Sequence, residues 1–169
     1  MRKKNVLAFG VSFLLAAAAL AQSAEAPKMG PGAPVFVPAA ELKWIVLDEA
    51  TPGVKVANAW GDLRTGAYGA FFKFPSGFAA PLHTHSADAK IVVVSGTFIQ
   101  GPERKPEVRL GPGSYLMQPG GDYRHTTRCE GASGCVIFAT GDSAFTLTPA
   151  EGASRGEIEP AGRLRAASG

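Results

Sequence analysis

A chain of 169 residues, 46% of them hydrophobic, is enough for one domain with a sizeable core. Its net charge of +3 is not a nucleic-acid signal, because the excess sits in Arg2, Lys3 and Lys4. Without residues 1–21 the 17 basic residues fall to 14 and equal the 14 acidic ones, so no basic patch remains that would suggest phosphate binding.

Residues 1–21 read as a secretory signal. Arg2 to Lys4 form a basic start, and Val6 to Leu20 is apolar and Ala-rich but short for a membrane span. Ala19-Leu20-Ala21 fits the small-x-small cleavage rule; Ala24-Glu25-Ala26 is a second option, which would leave Pro27 after the cut. The other reading of this segment is an uncleaved N-terminal anchor. No cysteine stands just after the apolar run, which argues against a lipoprotein. The mature chain is expected in the periplasm or outside the cell, with no stable membrane insertion once the signal is removed.

Residues 22–33, rich in Ala, Gly and Pro, are expected to be a flexible leader. The folded domain is expected over 34–148. Strand signals run over 34–37 and 42–47, then over 54–60, where Val54-Lys55-Val56-Ala57 alternates with period two. Further strands are expected at 68–74, 91–99, 108–110, 114–118, 134–139 and 144–148, separated by Gly- and Pro-rich turns. Trp44, Trp60, Phe71, Phe72, Phe74 and Phe138 are the expected aromatic core. From residue 149 to 169 the chain lacks periodicity and is expected to be a disordered tail. About ten short strands and no sustained helical period after the signal point to an all-β sandwich or barrel.

Cys129 and Cys135, the two cysteines, lie six apart. In an oxidising compartment they can close a small hairpin loop; the alternative is two thiols.

The chemistry is expected at the histidines. His83 and His85 precede a β-branched run, and strand residues at i and i+2 share a face, so both imidazoles can point into one cavity. The remaining histidine of the chain is His125. Imidazole is the commonest metal ligand, although a histidine pair in a strand can also be purely structural. A jelly roll would bring such a pair together with a distant third histidine. The serines lack a nucleophile-elbow context, and the Gly-rich turns lack the P-loop Lys-Ser/Thr.

Gly77, His83-Thr84-His85 and Gly96 resemble the first cupin motif; Gly113, Pro119-Gly120-Gly121 and His125 resemble the second. The likeness spans roughly residues 35–148. It is nearer to small secreted bacterial cupins of unknown function, similar to the cupin module of ChrR-type anti-sigma factors. Trp60-Gly61-Asp62, Lys73-Phe74-Pro75, Ser86-Ala87-Asp88, Gln118 and the pair Cys129 and Cys135 belong to that pattern. The resemblance implies a cupin-type double-stranded β-helix, a jelly roll in a single domain, with one metal at His83, His85 and His125.

Two departures stand out. Cupins usually place a glutamate a few residues after the second histidine, and that position is Ala89, with Lys90 beside it. Asp88 comes one residue early, where strand alternation points it outward; it joins as a fourth ligand only if a bulge re-aims it. Otherwise it is a solvated loop carboxylate or a partner of Lys90. One extra residue also separates Gly121 from His125, so the loop must absorb it, or Asp122 or Tyr123 would face the cavity instead. Gln118 and Tyr115 are candidates to hydrogen-bond a ligand from behind.

Three neutral imidazoles suit Fe, Zn, Ni, Mn or Cu as a divalent cofactor and leave positions open for a small-molecule substrate. The resemblance therefore implies a metal-dependent oxidoreductase, dioxygenase-like, acting on a small organic molecule. The alternatives are a non-catalytic metal- or ligand-binding sensor and a metal-free structural cupin. A homodimer through sheet edges is a further expectation from the family.

Overall fold

The computed structural model describes residue 32, residues 34–48, residue 51 and residues 53–150. The expected signal at 1–21, the leader except Gly32, and the tail after 150 lie outside the described residues. Among the described residues there is no α-helix, only a short 3-10 turn at Ala39–Glu41. No helix there is long and apolar enough to cross a membrane.

Among the described residues eleven strands form two sheets in which every pairing is antiparallel. In chain order they are β1 (Ile45–Val46), β2 (Lys55–Gly61), β3 (Tyr68–Phe74), β4 (Ala79–Thr84), β5 (Ala89–Ser95) and β6 (Thr97–Pro102), followed by β7 (Val108–Leu110), β8 (Tyr115–Gln118), β9 (His125–Glu130), β10 (Cys135–Gly141) and β11 (Thr148–Pro149). One sheet runs β1-β2-β3-β10-β5-β8 and the other β11-β4-β9-β6-β7. The all-β jelly roll expected from the sequence is what the chain adopts.

Side-chain alternation explains how the sheets face each other. Along β5, Ala89, Ile91 and Val93 are buried while Lys90, Val92 and Val94 are exposed. Along β10, Cys135, Ile137 and Ala139 point inward. The buried face is capped by aromatics: Phe72 and Phe74 stack with ring centroids 6.4 Å apart, and Phe74 lies 5.8 Å from Phe98 and 5.0 Å from Phe78. Burying each such ring contributes about 2–3 kcal/mol.

Several strand expectations are corrected. The run 91–99 is two strands, because Gly96 at φ 76° turns the chain from one sheet into the other. A Cβ there would lie 2.4 Å from the Gly134 carbonyl oxygen, so only glycine makes that crossing. Residues 34–37 and 42–44 are irregular, and a strand not expected from the sequence begins at His125. Residues 144–147 are irregular too: Phe145 N–H donates to the Leu63 carbonyl and its ring packs 5.4 Å from that of Phe72. Of the expected aromatic core, Phe72 and Phe74 are buried. Trp44, Trp60, Phe71 and Phe138 are half-buried, since residues flanking Phe72 and Ile137 must face outward; there Phe71 and Phe138 pair at 4.9 Å.

Cys129 in β9 and Cys135 in β10 are joined by a disulfide, with sulfurs 2.00 Å apart and both residues buried. A buried cystine is consistent with an oxidising compartment.

Candidate metal centre

β4 and β9 are neighbours in one sheet, and His83 is there the register partner of His125. The pairing is irregular between Ala80 and His83, where three steps along β4 oppose two along β9, a bulge that lies in β4. His85 follows just past β4, on the same face as His83. Its carbonyl accepts the N–H of Gly121, which ties the first histidine motif to the Gly120-Gly121 turn of the second. A Cβ at Gly120 would sit 2.6 Å from the Ala87 backbone, so that close approach requires glycine.

All three histidines point inward, with exposures of 2% for His83, 8% for His85 and 0% for His125. One ring nitrogen from each lies within 4.8 Å of the others. Ring centroids are 4.3 Å apart for His83 and His125, 5.0 Å for His83 and His85, and 5.3 Å for His85 and His125. Each Nδ1 faces a backbone carbonyl: Pro81 at 2.6 Å for His83, Thr146 for His85, and Tyr123 at 3.3 Å for His125. A carbonyl can only accept, so Nδ1 carries the proton in each ring and Nε2 keeps its lone pair. His125 Nε2 is buried without a hydrogen-bond partner.

Burial holds these rings neutral. Desolvation, helped by the nearby rings, lowers His85 and His125 from the usual 6.5 to about 4, against the opposing pull of their carbonyl partners. His83 moves down for the same first reason. Neutral imidazoles with pinned outer N–H groups are the form that ligates a metal.

His83 and His85 open onto a cavity of about 60 Å³ walled mainly by Phe72, Phe74, Phe98, Ile91 and Ile137. That is room for a few waters or a very small molecule. Ala89 is buried in its wall, at the position where cupins usually carry a glutamate. Asp88 is exposed and outside the histidine cluster; its Oδ1 accepts the Gly120 N–H at 2.8 Å. The structure thus places it as a brace for the turn, with no bulge bringing it inward. Asp122 is exposed, and Tyr123 lies beside the site, its ring stacked 5.1 Å from His125. Tyr115 is 60% exposed on the outer face and supports no ligand, whereas Gln118 lines the cavity.

Two residues at the site escaped the sequence reading. Gln100, in the middle of β6, donates from Nε2 to Gln118 Oε1 at 2.9 Å. A polar residue directly after Phe98-Ile99 was the available signal. Tyr68 lines the cavity, and burial pushes its hydroxyl up to about 12.

The family model described as a domain of unknown function, DUF4437, matches residues 35–167. No curated protein matches the chain. Among solved structures, KdgF from a Halomonas species is similar at 22% identity and a TM-score of 0.51, over 64% of this chain and 94% of that one. The polyketide cyclase RemF from Streptomyces resistomycificus aligns at 16% identity and a TM-score of 0.58, over 69% and 85%. An RmlC-like cupin from Ralstonia eutropha aligns at 17% identity and 0.54, over 67% and 71%. At these identities the likeness shows the fold, and the fold is that of the cupins.

Proposed function

We propose that this chain, which belongs to the DUF4437 family, holds one divalent transition metal at His83, His85 and His125 and acts on a small organic molecule as a dioxygenase-like oxidoreductase. The observation that carries this reading is His125 Nε2, buried, neutral and unpartnered beside two other imidazoles. An unpaired buried polar atom costs about 1–3 kcal/mol, which a bound metal ion would offset. The donor set fits Fe, Zn, Ni, Mn or Cu. When bound, the metal supplies Lewis acidity and, if redox-active, electron transfer at positions that three protein ligands leave open.

The chain's own residues set the rest of the chemistry. Carbonyls of Pro81, Thr146 and Tyr123 hold the imidazoles in register and raise their basicity. Phe72, Phe74 and Phe98 exclude water and present an apolar surface to the substrate. Tyr68 lines the cavity and keeps its proton at neutral pH, because burial raises its hydroxyl to about 12. Export to an oxidising compartment is part of the proposal; residues 1–21 and the buried cystine support it.

A second reading is a non-catalytic metal or ligand binder. It is favoured by the cavity wall, which holds no Asp, Glu or Lys among the described residues and so offers no carboxylate base. Oxygen consumption and product formation by the iron-loaded full chain, over a panel of thiols, diketones and phenolics, separates the two. Turnover that disappears in His83→Ala supports the enzyme. Ligand binding without turnover over the whole panel supports the binder and refutes the oxidoreductase.

A further inference from the structure

We propose that Gln118 orients the ligand in this cavity, its amide N–H donating to an oxygen of a small, mainly hydrocarbon molecule held beside His83 and His85. The inference rests on the metal reading above and names the ligand class for that site.

Gln118 ends β8 and is 4% exposed, and its register partner is Ala89. The small side chain of Ala89 leaves space there, and Gln118 lines the cavity together with His83 and His85. Gln100 stands on the opposite sheet, 2% exposed, and its Nε2–H donates to Gln118 Oε1. That bond engages the acceptor of Gln118 and leaves its Nε2, with two donor hydrogens, available to a ligand in the cavity that Gln118 lines. This nitrogen has no hydrogen-bond partner among the described residues.

Stability alone does not account for the pair. Two amides in an apolar interior carry a desolvation cost that one neutral hydrogen bond returns only in part, and apolar residues of similar shape would be at least as stable. Gln100 Oε1 is left buried without a partner, so the pair is not arranged for its own satisfaction. Its effect is to fix the direction of one donor.

The donor restricts the ligand. With no Lys or Arg in the wall, Gln118 asks for an acceptor oxygen, as in a carboxylate or carbonyl. Phe72, Phe74, Phe98, Ile91 and Ile137 ask for a hydrocarbon body, and about 60 Å³ limits it to a few heavy atoms. The Tyr68 hydroxyl lies toward Gly141, where a Cβ would come within 3.2 Å of it.

The test uses the full chain loaded with Co(II), with butyrate as the oxygen-bearing probe and imidazole, which has no oxygen, as the control. Both are followed by visible absorption of the cobalt. In Gln118→Leu the butyrate affinity is expected to fall about tenfold, the ~1.4 kcal/mol of one hydrogen bond to a charged acceptor, with imidazole affinity and cobalt stoichiometry unchanged. Gln118→Glu fills the same space and still accepts from Gln100, but offers no donor, so it should lose butyrate and keep imidazole. Unchanged butyrate affinity in both variants overturns the role of Gln118 while leaving the metal site standing. Equal weakening of butyrate and imidazole in both also overturns it, since that marks a general packing role. A wild-type chain that takes up no cobalt overturns the metal reading and this inference together.

Discussion

The metal-free protein should lose stability as pH falls from 6.5 toward 4, and the histidine cluster should be the main cause. In the folded chain His85 and His125 protonate only near 4, while in the unfolded chain they protonate near 6.5. Above 6.5 both states are neutral at these positions and nothing is lost. Between 6.5 and 4 the unfolded chain takes up protons that the folded chain refuses, so unfolding is favoured. The full difference is about 3 kcal/mol for each imidazole. Two of them together, about 6 kcal/mol, reach the lower end of a typical domain stability of about 5–15 kcal/mol. Urea midpoints followed by Trp44 and Trp60 fluorescence and by far-UV circular dichroism, in chelator, give the profile. Glu130, which a hydrogen bond from Arg109 holds below its usual carboxylate range, acts in the same direction at lower pH, but it is exposed and its share should vanish in high salt. The His85→Asn, His125→Asn double variant should be much less steep between pH 6.5 and 4.5, its remaining slope coming from His83, which burial also lowers. A wild-type midpoint that does not move over that range, or a double variant with the wild-type slope, refutes the reasoning.

Reducing the cystine, or replacing Cys129 and Cys135 by serine, should cost about 2 kcal/mol from the six-residue separation alone, read as a drop in the urea midpoint. Asp88→Ala should cost about 1 kcal/mol through the lost bond to Gly120 N–H and leave metal stoichiometry unchanged by elemental analysis. Phe72→Ala should cost about 3–5 kcal/mol in equilibrium unfolding, because its ring packs on Tyr68, Phe74 and Phe145 at once.

Local patterns made much of this molecule legible. The alternation in Ala89 to Ser95 sets one face of the core, and the same alternation places Asp88 outside and Ala89 inside, as the structure has them. The convergence of His83, His85 and His125 was readable from spacing together with the motif order. What remained hidden depends on where the sheets cross. Gly96 divides the β-branched and aromatic run 91–99 into two strands because the chain must change sheets there. Phe71 and Phe138 are as apolar as Phe72, yet alternation turns them to the outer face. Gln100 and Gln118 lie eighteen residues apart on opposite sheets, and no one-dimensional pattern joins them.

The central claim is the three-histidine metal site, and its most direct test is the metal content of the mature protein purified from its native compartment, measured beside His83→Ala and His125→Ala. One metal ion per wild-type chain, lost in both variants while their circular dichroism stays unchanged, is the predicted result. Substoichiometric metal in all three proteins would contradict it.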